Sequence, residues 1–307
     1  MKSLFIFLLL FCYGIAGGET GEDDNKTLYA PVINVVQHKL GNVSIPIKIY
    51  RYGSRKDVVM INLHSNEKTS VLAAMQWLKH NGGLLIKIEN GDNRHIVFEI
   101  DTAIFQVDPN HIFSVKGIKN DYVNNIYQLE KAISETQKFA KKILSLIPAN
   151  PSIVVALHNN FNGDYSIDSY LKGRERATDA SRVYKNPAQD ADDIFLTTDA
   201  TLFKQLSDDG FNTILQNAKT VKRDGSLSVY FHEKNIRYLN CETEHGKQGV
   251  YYQMLSGAMK YIERRNNNER LVAYKCFDSL FLLEKGTALY KDSIYKGEIK
   301  SVYRLKK

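Results

Sequence analysis

Two short apolar runs of this chain end in the same residue. Positions 57–63 run into His64 and positions 153–157 run into His158, so each reads as a buried strand that delivers an imidazole at its carboxyl end. Residues 45–50 alternate more weakly and predict an edge strand ahead of the first run. After Glu67 the apolar positions of 71–78 take helical spacing and stop at Asn81-Gly82-Gly83, a helix-ending signal. Residues 84–89, 94–100 and 104–107 predict three short strands, the first two joined by the turn Asn90-Gly91-Asp92-Asn93. The longest amphipathic helix is predicted over 122–147, with Ile126, Leu129, Ile133, Ala140 and Leu144 near one face and Pro148 and Pro151 ending it. Between Asn159 and Asp199 no period is evident. A short helix over 201–206, strands over 211–215 and 236–243, and a helix over 251–265 follow. Residues 271–307 read as short strands rich in Tyr and Lys, a C-terminal extension of the same domain. Strands alternating with helices predict an α/β domain with a mainly parallel sheet over residues 31–270.

The first residues do not belong to that domain. Lys2, the apolar stretch 4–11 and Gly14-Ile15-Ala16 make a secretory signal peptide over 1–16, too short to span a bilayer. A bulky Phe11 before Cys12 argues against a lipoprotein signal. The polar stretch 17–30 reads as a flexible leader. The protein is thus expected to be exported, secreted or periplasmic, with no stable membrane insertion. Of three cysteines, Cys241 and Cys276 remain after processing. They form either one disulfide or, with Cys241 in a buried strand, separate thiols; two cysteines alone cannot build a structural zinc site. A net charge of +7 is spread thinly, without a nucleic-acid-binding motif, and reads as a solvated basic surface.

Candidate chemistry concentrates at the strand ends, where open α/β sheets bind ligands. His64, Glu67 and His158 make the three-protein-ligand set of a catalytic zinc, with a fourth position left for water. The segment Asp108-Pro109-Asn110-His111-Ile112-Phe113 has ordinary turn composition. In the late strand, Asn240, Glu242 and Glu244 share one face, and three polar groups on a strand of buried type point to a cleft. No Gly-x-Ser-x-Gly elbow is present, which argues against a serine hydrolase.

The order His64-x-x-Glu67, then Asp108-x-Asn110-His111-x-Phe113, then a strand ending in His158, resembles the zinc carboxypeptidase family. It resembles equally the related aspartoacylase and succinylglutamate desuccinylase family, by motif order over roughly residues 55–260. The resemblance implies a mixed twisted sheet with helices on both faces and a metal site at the strand carboxyl ends. It implies zinc held by His64, Glu67 and His158, Asp108 positioning the motif, and Asn110 contacting substrate. His111 stands where the family has arginine and would do part of its work in binding substrate, with a charge that is conditional. The general base would be Glu242, with Glu244 second. The expected activity is hydrolysis of an amide in a small peptide, a cell-wall peptide or an N-acyl amino acid. The alternatives are ester or acyl hydrolysis at the same zinc, or an exported binding protein without turnover. Tyr165, Tyr170, Arg174 and Arg176 are candidates for a substrate clamp in the irregular loop.

Overall fold

A computed structural model describes residues 28–122, 127–163 and 165–262. Its strands are β1 (Pro31–Leu40), β2 (Val43–Tyr52), β3 (Val58–Asn62), β4 (Gly83–Ile88), β5 (Ile96–Ile100), β6 (Ala103–Val107), β7 (Ile153–Asn160), β8 (Ala180–Tyr184), β9 (Ile194–Thr197), β10 (Thr213–Gln216) and β11 (Tyr238–Glu244). Nine of them form one sheet in the order β1-β2-β4-β3-β7-β11-β9-β10-β8, and β5 and β6 form a separate hairpin. The centre is parallel: β4, β3, β7 and β11 run the same way. Antiparallel pairs flank it, β2 on β4 and β11 on β9. Every residue of β3, β4 and β7 is buried, as continuous apolar runs covered on both faces require. The mixed α/β sheet expected from the sequence is the one observed.

Alternate residues of the central strands feed two cores. Val58 and Met60 face α1 (Lys68–Asn81), α4 (Ala200–Asp208) and a helix over 248–262, α6. Val59, Ile61, Val154 and Ala156 face α2 (Val115–Asp121), α3 (Leu129–Ser145) and α5 (Leu227–Glu233), together with the β5–β6 hairpin.

Several expectations need correction. The strand at 45–50 is β2, and it is internal; the edge strand is β1, which pairs with β2 along its whole length. Gly41, at φ 56°, makes the tight turn between them. β1 was hidden because its outer half is exposed on both faces, so no alternation marks it. The helix expected over 122–147 is α3, which begins only at Leu129 after Gln128 in the left-handed region at φ 57°; α2, just before that range, was not expected. The stretch 159–199 is less irregular than its composition suggested. It holds the end of β7, two 3₁₀ turns (Ile167–Tyr170 and Ala177–Asp179), β8 and β9. The helix expected over 201–206 is α4, capped by the Asp199 carboxylate, which accepts from the backbone N–H of Thr201 and Leu202. The signal peptide, most of the leader, the extension over 271–307 and Cys276 lie outside the described residues. Among the described residues no helix is long and apolar enough to cross a membrane.

Candidate metal centre

Parallel pairing of β3 with β7 brings the two histidines together. Ile61 lies opposite Ala156, so His64, just past β3, arrives beside His158. Glu67 follows on a tight turn, its N–H donating to His64 O at 3.1 Å, and stands at the start of α1. All three side chains are buried. His64 Nδ1 lies 3.2 Å from His158 Nδ1 and 2.8 Å from Glu67 Oε1, and His158 Nδ1 lies 3.1 Å from Glu67 Oε2. Their ligand atoms form a group able to hold a metal ion.

The geometry suits a cation at the centre. Two ring nitrogens facing each other repel unless a proton or metal lies between them. Zn–N bonds of 2.0–2.1 Å at tetrahedral angles would set two nitrogens roughly 3.3 Å apart. His64 Nε2 is held by Asp108 Oδ1 at 2.7 Å. A carboxylate there keeps the proton on Nε2 and leaves Nδ1 as the ligand atom. Burial alone would lower the His64 pKa, but Glu67 and Asp108 together raise it to about 9. Burial likewise pushes Glu67 up, yet the two imidazoles outweigh it and hold the carboxyl at about 2. Asp108 is held well below the usual carboxylate range by His64 and Arg94 against the effect of burial. Two carboxylates of lowered pKa beside His64 favour positive charge at this place.

Glu242 lies directly opposite His158 in the β7–β11 register. Asn240 Nδ2 donates to its Oε2 at 3.2 Å. Burial raises its pKa to about 7, with His158 opposing and Glu67 reinforcing the shift. Glu244, two residues on, is opposite Asn160 and bound to Lys247 Nζ at 2.5 Å. It groups with Asp190 and Asp192 instead of the histidines. The strand face is shared, as the alternation required, but only Glu242 sits beside His158.

The Asp108–Phe113 segment is brought to the site by one residue. Asp108 touches His64, and its Oδ1 also accepts from the backbone N–H of Asn110 at 2.8 Å. The Asn110 side chain accepts from Leu227 N–H at 3.3 Å, toward α5. His111 Nδ1 is held by Asp121 Oδ1 at 2.9 Å, while Asp121 Oδ2 accepts from Asp108 N–H at 2.8 Å. Asp121 thus ties the motif turn to the end of α2, and by its hydrogen bond to His111 it raises the imidazole pKa.

Sequence reasoning missed Arg94. It follows the turn into β5, and its Nη1 donates to Glu67 Oε1 at 2.9 Å while Nη2 lies 3.3 Å from Asp108 Oδ2. Its side chain is 45% exposed, so a guanidinium faces both the triad and solvent. Nothing in Asn93-Arg94-His95 marks it, because the contact depends on where the hairpin folds. Tyr251 was missed too. Its hydroxyl donates to Cys241 O at 2.7 Å and accepts from His158 N–H at 3.2 Å, pinning β7 to β11 beside His158.

No protein-family model and no curated protein sequence matches the chain. Among solved structures it is similar to an aspartoacylase family protein from Mesorhizobium loti, with 13% identity and a TM-score of 0.38 over 75% of this chain and 66% of that one. A metallo-carboxypeptidase from Burkholderia cenocepacia gives 9% identity and a TM-score of 0.39 over 76% and 65%. The LapA aminopeptidase of Legionella pneumophila gives 11% and 0.32 over 75% and 57%. The chain thus spans less than two thirds of the length of each of the three.

Proposed function

We propose that the protein is a zinc-dependent hydrolase of an amide bond, acting after export on a small peptide, a cell-wall peptide or an N-acyl amino acid. One observation carries the reading. A buried His64–Glu67–His158 set has a buried glutamate of raised pKa directly across the parallel strand pair. An acid–base group beside a three-ligand set is what metal-assisted hydrolysis needs.

His64, Glu67 and His158 would hold the zinc, which when bound polarises a carbonyl and acidifies a water. Glu242 takes the proton of the attacking water and returns it to the departing amine, a double duty suited to a pKa of about 7. Arg94, a permanent cation with N–H groups turned to solvent, donates to the oxygen that gains charge as the carbonyl is attacked. Asp108 holds His64 in the ligating tautomer. A binding protein without turnover has no use for Glu242 in this place, which disfavours that alternative. The purified protein is expected to contain about one zinc per chain. Glu242→Gln is expected to keep the metal and lose turnover of N-acyl amino acid and dipeptide panels. A parent protein that retains no zinc after metal loading would refute the reading.

A further inference from the structure

The nine-stranded sheet ends in two strands of unlike character. At one edge β8 has five residues, carries Arg182 at its centre and pairs with β10 through a shifted register, all devices that discourage further pairing. At the other edge β1 has ten residues, pairs with β2 in an unbroken register and has no strand on its outer side among the described residues. Its first five residues are exposed on both faces. Val32, Ile33 and Val35 stand at 59, 51 and 52% exposure. Positions 31–37 hold no charged side chain, in a chain of net charge +7. A two-residue turn closes the hairpin on the Leu40–Val43 pair, so alternation turns the N–H and C=O groups of Ile33, Val35 and Gln37 away from β2. Pro31, with no N–H to offer, bounds that row at its start and Lys39 stands at its far end. Outward amides beside exposed valine and isoleucine are a template for another strand.

We propose that this strand is β1 of a second copy, and that the protein is a two-fold dimer whose sheets join through antiparallel β1–β1 pairing. The register centred on Asn34 is self-complementary. It sets Ile33 opposite Val35 twice on one face and Val32 opposite Val36 twice on the other, with Asn34 facing its own copy between them. Each exposed apolar side chain gains an apolar cross-strand neighbour, and no like charges meet at the axis. Charge complements the pairing at its ends. The chain ahead of β1 carries Glu22, Asp23 and Asp24, and antiparallel pairing directs it toward the hairpin end of the second copy. Lys39 lies at that end, and Lys138 and Lys142 of α3 act electrostatically on the neighbouring His38. A contact of this kind is isologous and closes at two copies, where an open edge would invite aggregation. β2 and β4 separate β1 from β3, the strand that leads to His64, so the dimer contact and the metal centre are independent.

A single strand pair falls short of the standard interface of about 1,600 Å², which predicts dissociation in the micromolar range. Sedimentation equilibrium of the purified protein from about 1 to 500 µM should therefore show the mass rising from one copy toward two. Ile33→Lys/Val35→Lys places lysines opposite each other at positions that already face solvent, and should weaken association by about tenfold or more. Disulfide trapping reads the register. In a Cys276→Ser background, with Cys241 buried, Asn34→Cys should cross-link two copies on mild oxidation. Its two Cα atoms would lie about 4.5 Å apart, as in a non-hydrogen-bonded antiparallel pair. Val32→Cys should not cross-link, because its two copies would lie about 13 Å apart along the strands. A parent that stays monomeric at the highest of these concentrations, association unchanged by the double lysine variant, or equal cross-linking at positions 32 and 34 would overturn the proposal. Slow amide exchange at Ile33 and Val35 in a monomeric parent would overturn it too, and would assign the edge to residues 263–307 of the same chain.

Discussion

Asp108→Ala is the substitution that tests the electrostatics of the metal centre most sharply. Asp108 does two opposing things to zinc affinity. By its 2.7 Å bond to His64 Nε2 it fixes the ligating tautomer, and losing such a partner weakens metal binding by about 10- to 100-fold. It also helps raise His64 to a pKa of about 9 in the metal-free protein, so that a proton competes with the metal. Below that pH the parent must release a proton for each zinc bound, and its apparent affinity should rise about tenfold per pH unit until about pH 9. In the variant, burial and the loss of a carboxylate both push the His64 pKa down. Competition therefore fades at lower pH. The gap between parent and variant should be widest, about 10- to 100-fold, above pH 9, and should narrow steadily as pH falls to 6. The assay is competition with a chromophoric chelator across that range, with proton release measured by calorimetry in buffers of different ionisation enthalpy. A gap that stays constant with pH, or widens in acid, would refute the account of His64. Equal affinity at pH 9.5 would show that Asp108 does not orient it.

Other outcomes follow from single contacts. Glu242→Gln should keep zinc and lose at least about 10²-fold in kcat, whereas Glu244→Gln should stay within a few fold, since Glu244 is spent on Lys247. The parent's kcat/KM should fall on the acid side at or below about pH 7, because protonating Glu242 removes the base and bound zinc can only lower its pKa further; activity that is flat from pH 8 to pH 5 would contradict this. Arg94→Ala should lower kcat by about 10²- to 10³-fold with a smaller effect on KM, the signature of a donor used in the transition state, and an effect on KM alone would make it a ground-state contact. Gly117→Ala should destabilise the fold by about 1–3 kcal/mol in urea unfolding, because its Cβ would lie 2.3 Å from the backbone oxygens of both His111 and Asp224; a change under about 0.5 kcal/mol would mean that α2 shifts freely.

The central sheet and the residues of the His64–Glu67–His158 cluster could be read from the chain because both rest on local signals. Continuous apolar runs mark strands buried on both faces, and each histidine ends one. Glu67 lies close enough in sequence to His64 for a turn to join them. Adjacency was not legible: that β7 lies between β3 and β11, so that His158 has His64 on one side and Glu242 on the other, is a property of strand order. Alternation puts Glu242 and Glu244 on one face; that Glu242 and not Glu244 stands opposite His158 is likewise a matter of register. Arg94 was invisible for the same reason, its partners being 27 residues and 14 residues away along the chain. β8 and β9 were lost because short strands embedded in Asn- and Asp-rich sequence carry too few positions to show a period. α5 was lost because a seven-residue helix directly after Asp224-Gly225-Ser226 looks like the continuation of a turn.

His111 is built into the turn that aims Asp108. Its ring nitrogen is tied to Asp121, and the same carboxylate holds the backbone of Asp108. Its carbonyl oxygen is wedged between Gly117 and Gly225, where a Cβ on either glycine would come within 2.3 Å of it. Phe113 N–H donates to Gly225 O at 3.0 Å on the same turn. Each of these contacts fixes where Asp108 aims, and Asp108 in turn orients His64. Holding the turn engages Nδ1 of a ring that is 36% exposed, and the second ring nitrogen is no part of that bond. An arginine at this position would keep its charge at every pH and carry more donors. With imidazole there, His111 and Asp121 hold the motif turn together, and Asp121 joins that turn to the end of α2.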